Sequence, residues 1–97
     1  MDEAQFHPLA RDEYASAYSW YFARSETAAY KFEIAFDRAL HEIVEAPLRW
    51  HPVDARHRTH LLKRFPYQII YRVVGENIVI VAVAHAKRRP GYWKGRN

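Results

Sequence analysis

Seven consecutive apolar residues, Ile78-Val79-Ile80-Val81-Ala82-Val83-Ala84, constrain the fold of this chain more than any other feature. The run is rich in β-branched side chains, and it falls well short of the roughly 20 residues that cross a membrane as a helix. A strand with one face in water alternates apolar and polar residues, and this one does not. It therefore has to be central and covered on both faces, or covered on one of them by a partner. Gly75-Glu76-Asn77 supplies turn chemistry before it, and Gln68-Ile69-Ile70-Tyr71-Arg72-Val73-Val74 is another β-rich run. Further back, Arg58 to Arg64 alternates loosely, with Leu62 and His60 on one side and Lys63 on the other, until Phe65-Pro66-Tyr67 interrupts.

Upstream of Pro47 the period is helical. Ala10, Tyr14, Tyr18 and Tyr21 share one face of a helix predicted from about Pro8 to Ala23, with Pro8 in its first turn. Ser25 offers the next N-cap and Glu26 a first-turn carboxylate. Phe32, Phe36, Ala39, Leu40 and Ile43 then recur at helical spacing until Pro47 ends the helix. A short strand around Glu3 to His7 precedes both helices, and Pro47 to His57 reads as an irregular connection. The predicted order is β-α-α-β-β-β, an α+β domain spanning residues 1–97, with a helical hairpin packed on one face of a small antiparallel sheet.

Ninety-seven residues can hold a core without staples. The absence of cysteine excludes disulfide frameworks and thiolate zinc sites and suits a reducing compartment. The opening Met1-Asp2-Glu3 is unlike a signal peptide, so a soluble cytoplasmic protein is expected, with no membrane partner. Only three glycines are present, none in a phosphate-cradling loop, and there is no serine elbow. Carboxylates such as Glu33 and Asp37 fall on solvent-facing helix positions and form no acid–base pair. Neither a cofactor nor a small-molecule substrate is expected. His51, Asp54, His57 and His60 recur every three residues, but Pro52 and the β-like sequence after them oppose the helix that would converge them on a metal.

The net charge of +4 conceals a segregation. Residues 1–48 carry four basic side chains against nine acidic ones, whereas residues 49–97 carry eleven against Asp54 and Glu76. Such asymmetry points to a polyanionic partner, or to the two halves cancelling each other within the fold. The cations culminate in a C-terminal segment, Ala86 to Asn97, with five of them, two large aromatics and no acid. Pro90 and Gly91 break any helix there, which predicts an extended tail leaving the sheet edge. Lys87, Arg88, Arg89, Trp93, Lys94 and Arg96 are candidates for binding a target or a nucleic acid. Were the chain a ribonuclease, His85 and Tyr92 would move protons and Arg72 and Arg88 would stabilise developing phosphorane charge. The competing reading is a solvated cationic tail whose Trp93 folds back on the core.

Leu62-Lys63-Arg64-Phe65-Pro66-Tyr67-Gln68-Ile69-Ile70-Tyr71, then Ile78 to His85, then Arg88-Arg89-Pro90-Gly91-Tyr92-Trp93, resembles the RelE/ParE superfamily of type II toxins. Ala46-Pro47-Leu48-Arg49-Trp50 is similar to the loop entry of that group. The resemblance implies a bacterial toxin that arrests growth, stabilises plasmids and is neutralised by a cognate antitoxin. Ribosome-dependent mRNA endonucleases of the RelE type carry arginines where Gln68 and Ala86 stand, although their C-terminal tyrosine finds a match in Tyr92. His85-Ala86-Lys87-Arg88-Arg89 is closer to the ParE-like branch, whose characterised members poison DNA gyrase without hydrolysis. Inhibition of gyrase is thus the first expectation. The alternatives are an mRNA endonuclease acting in the ribosome and an inactive relative that only binds antitoxin.

Overall fold

The computed structural model describes residues 4–97. Glu3, where the first strand was expected to begin, and the Met1-Asp2-Glu3 opening lie outside them. The elements are β1 (Ala4–Phe6), α1 (Pro8–Arg24), α2 (Glu26–Glu45), β2 (His51–Pro52), β3 (Arg58–Leu61), β4 (Tyr67–Val74) and β5 (Asn77–His85). The β-α-α-β-β-β order stands, with β2 as a two-residue addition inside the segment expected to be irregular. No described helix is long and apolar enough to cross a membrane.

Local chemistry sets the helix boundaries. The Nδ1 of His7 accepts from the Leu9 amide at 3.0 Å, capping α1 just ahead of Pro8. Ser25 both ends α1 and starts α2, its Oγ accepting from the Ala28 amide at 3.2 Å. A single residue thus closes the hairpin. Ser25→Ala removes that acceptor and is expected to cost about 1 kcal/mol. Thermal unfolding should register a fall of about 4–8 °C.

The sheet order is β1-β5-β4-β3-β2. β5 and β4 form an antiparallel hairpin through Gly75-Glu76, with Val74 opposite Asn77. Gly75 has φ +63° and Glu76 does not share the positive sign, as a type II′ turn requires. The sheet is mixed rather than antiparallel, because β1 runs parallel to β5, Ala4 facing Ile78 and Phe6 facing Ile80. Helix α1 intervenes between β1 and the rest of the sheet, so no tight turn forces the pair antiparallel. The ladder between β4 and β5 shifts between Ile70 and Tyr71, leaving Val81 unpaired as a bulge.

Both faces of β5 are covered, as its composition demands. Ile78, Ile80 and Val83 pack with Ile69, Tyr71, Phe32, Phe36 and Ile43 beneath the helices. Tyr14, Tyr21, Phe65 and Tyr67 extend this core as a connected aromatic cluster, with Tyr21 stacked 5.2 Å from Phe32. The aromatic stripe of α1 is core, not a binding platform. On the opposite face Ile70, Val81, Ala82 and Ala84 form a second, smaller cluster closed by Trp93.

Candidate functional site

That second cluster overturns the expected extended tail. After His85 the chain coils through successive tight turns, with Arg88 N–H bonding His85 O at 3.0 Å, Lys94 N–H bonding Gly91 O at 3.0 Å and Arg96 N–H bonding Trp93 O at 3.0 Å. Gly91 adopts φ +77°, which a side chain would strain. The coiling returns Trp93 to the sheet, where it is only 3% exposed and its ring lies 4.7 Å from that of His57. The cause is the bare apolar face of β5 and β4, which no helix reaches. Trp93 is thereby a core residue and offers no surface to a target.

Arg96 is likewise withdrawn. Its guanidinium grips Glu13 of α1 bidentately, Nη1 to Oε1 at 3.0 Å and Nη2 to Oε2 at 2.8 Å, while Nη1 also reaches Val81 O at 3.1 Å. Glu13 accepts two more bonds, from the Val83 amide at 2.9 Å and the Tyr92 hydroxyl at 2.8 Å. The reason lies in strand lengths. β1 ends opposite Ile80, so the outer edge of β5 beyond that point lacks a strand partner, and Glu13 and Arg96 satisfy its Val83 N–H and Val81 C=O instead. Burial would raise the Glu13 carboxyl pKa, but the bonds from Arg96, Val83 and Tyr92 outweigh it and hold it below the usual value.

Of the expected catalytic set, His85, Arg88 and Tyr92 gather at one rim and Arg72 does not. His85 pairs with Tyr67 at one end of the hairpin, while Arg72 pairs with Val79 five positions along β4, about 17 Å away at strand rise. Tyr92 is pushed up to about 12 by burial and by donating to Glu13, far from the range of a proton shuttle. Arg88 stacks on the Tyr92 ring with its Cζ 3.8 Å from the centroid, and Arg96 lies 5.1 Å from it. His85 Nδ1 accepts from the Lys87 amide at 3.0 Å, which leaves its proton on Nε2. His85, Arg88, Tyr67, Ser16 and Leu9 line one open cleft of about 360 Å³. Gln68 turns its amide oxygen to the Thr59 hydroxyl at 2.6 Å.

What remains in solvent is cationic. Lys87, Arg88, Arg89 and Lys94 are all exposed along the outside of the coiled arm, and none has a carboxylate partner among the described residues. The four residues at three-residue spacing disperse. Asp54 holds His57, His60 reaches Glu42 of α2 at 2.8 Å while stacking on Trp50, and His51 is exposed. Among the described residues no group of three or more His, Asp or Glu converges. Glu13 escaped notice in the sequence. Its one available signal is its spacing from Ala10 and Ala17, the two buried alanines of α1, which place it on the inward face.

A family model described as the ParE toxin of the type II toxin-antitoxin system parDE matches residues 4–90. The chain belongs to the ParE toxin family. Among solved structures it is similar to the chromosomal ParDE toxin-antitoxin system from P. aeruginosa, with a TM-score of 0.76 and 18% identity over 90% of this chain and 98% of that one. No curated protein matches. The resemblance to the RelE/ParE superfamily thus holds, and on the ParE side of it. The match to the ParE family ends at Pro90, so Tyr92, Trp93 and Arg96, which lock the arm, lie beyond it. The C-terminal end is fastened by contacts to Glu13 and to the second core.

Proposed function

We propose that the chain is a toxin that inhibits DNA gyrase by binding, through the exposed Lys87, Arg88, Arg89 and Lys94, and that a cognate antitoxin neutralises it. The observation that carries this reading is the state of Tyr92. Its hydroxyl is committed to Glu13 and its pKa is raised to about 12, by burial first, which disfavours Tyr92 itself for the proton transfers that RNA cleavage requires. The cations around it remain available for an anionic or acidic surface.

An antitoxin has a groove to occupy. Between α2 and the β3–β4 connection, an open cavity of about 540 Å³ has Ile34, Ala35, Ala39, Leu61 and Phe65 as its apolar lining. Lys31, Arg38, Lys63 and Arg64 stand around it, with Glu42 the one acid. An amphipathic helix with an acidic rim fits that chemistry, and its charge would speed association.

Purified protein added to gyrase and relaxed plasmid is expected to suppress supercoiling or trap cleaved DNA, and the antitoxin should reverse the effect. Supercoiling unaffected by excess toxin would remove gyrase from the account. Codon-linked mRNA cuts in a translating extract would replace it with the endonuclease.

A further inference from the structure

A second cationic site lies on the arm-covered face of the sheet, between the β2–β3 loop and β4. Its wall holds Arg56, Arg58, Arg72 and His57 around a cavity of about 300 Å³, with Asp54 the one acid. Asp54 is already engaged, accepting from the Arg56 amide at 2.8 Å, the His57 amide at 2.7 Å and His57 Nδ1 at 3.0 Å. Arg58 spends one Nη on Trp50 O at 2.8 Å. Two side-chain nitrogens of these lining residues are buried from solvent without a partner: Nε of Arg72, a donor, and Nε2 of His57, the ring's acceptor while Nδ1 donates to Asp54. His57 is only 6% exposed and Arg72 half-buried.

Orphaned buried polar atoms are rare because each forfeits its hydration, and a donor and an acceptor left open beside one cavity suit an occupant that offers both, as a protonated phosphate group does. Three guanidinium groups against one spent carboxylate select an anion, and the planar arginine fork matches a tetrahedral oxyanion. We infer that this cavity binds a phosphate group, either the free ion or the terminal phosphate of a small nucleotide, through Arg72, His57 and the neighbouring arginines. The cavity is larger than phosphate alone, so an ester fits as well as the ion. Because the His57 ring also meets Trp93, an occupant there touches the packing that seats the arm. The site is separate from the His85 rim and does not depend on what the toxin inhibits.

The test is a titration of the full chain with inorganic phosphate, ADP and a short oligothymidylate at fixed ionic strength, following the side-chain nitrogen resonances of His57 and the melting temperature. Phosphate or ADP should move His57 saturably and raise the melting temperature, and the tighter of the two identifies the free ion or the ester. Arg72→Gln should weaken this binding about tenfold, in keeping with loss of a charge-assisted bond. Arg72→Lys, which keeps the charge but not the fork, should also weaken it, and Arg11→Gln, on the exposed face of α1, should not. Melting of each variant without ligand separates misfolding from lost binding. Equal losses in Arg72→Gln and Arg11→Gln, a non-saturable response, or binding by the oligonucleotide alone would each overturn the assignment.

Discussion

Glu13→Gln should unfold more easily than the wild type by about 3 kcal/mol, within the range seen when one partner of a largely buried ion pair is removed. The carboxylate is the hub of four hydrogen bonds, from Arg96 twice, Val83 and Tyr92. Arg96 and Glu13 keep only 12% and 15% of their side chains in solvent, so water replaces little of what is lost. For a domain of this size the melting temperature should fall by about 15 °C. Adding Arg96→Met to Glu13→Gln should cost less than the sum of the single changes, because the stranded cation is gone. Acid titration carries the same signature. The folded-state pKa of Glu13 lies below its ordinary 4.5, the bonds from Arg96, Val83 and Tyr92 outweighing the upward push of burial. Its stabilisation is therefore fully present above the unfolded value and is lost as pH falls through the folded one. Wild-type stability should drop more steeply below about pH 4.5 than that of Glu13→Gln. Parallel acid curves would mean that the clamp contributes little.

Trp93→Ala is the other large effect expected. The ring closes the cluster of Ile70, Val81, Ala82 and Ala84, with Val79 and Tyr92 packed beside it, and it is 3% exposed. Removing a buried aromatic of this size costs about 3–5 kcal/mol, with the spread set by how far the site collapses. Here the neighbours are mostly alanine and valine on a rigid sheet, so collapse is limited. Amide exchange should accelerate first at Val81 and Val83, whose edge is closed by Arg96 and Glu13, before the aromatic core under the helices loosens. Uniform acceleration across the whole sheet would show instead that the arm and the main core unfold as one unit.

These two residues also mark the limit of what the sequence disclosed. The helical hairpin, its Ser25 junction and the order of elements along the chain follow from periodicity and caps, since each depends on a few adjacent residues. The need to cover β5 on both faces was equally plain in Ile78 to Ala84. What the sequence left open was the source of that cover. Trp93 folding back stood as one reading of a tail that Pro90 and Gly91 made look extended. Register was less accessible still. The parallel pairing of β1 depends on where two helices deliver the chain, and the Val81 bulge on a mismatch between strands that no local pattern reports. Glu13 became functional for the fold only because β1 stops at Phe6. The candidate site was therefore legible as a list of cations but not as an arrangement. Four of the six proposed contact residues are exposed, and Trp93 and Arg96 hold the other four in place.

Tyr92→Phe tests most directly the proposal that this toxin binds rather than cleaves. The substitution removes the hydroxyl and keeps the ring on which Arg88 and Arg96 stack. Loss of one hydrogen bond to Glu13 costs about 1–2 kcal/mol, which leaves the domain folded. Expressed without antitoxin, and assayed as folded protein against gyrase, Tyr92→Phe should arrest growth and suppress supercoiling within about threefold of the wild type, a change of less than 1 kcal/mol. Folded Tyr92→Phe that no longer arrests growth, beside a wild type that cuts mRNA, would contradict it.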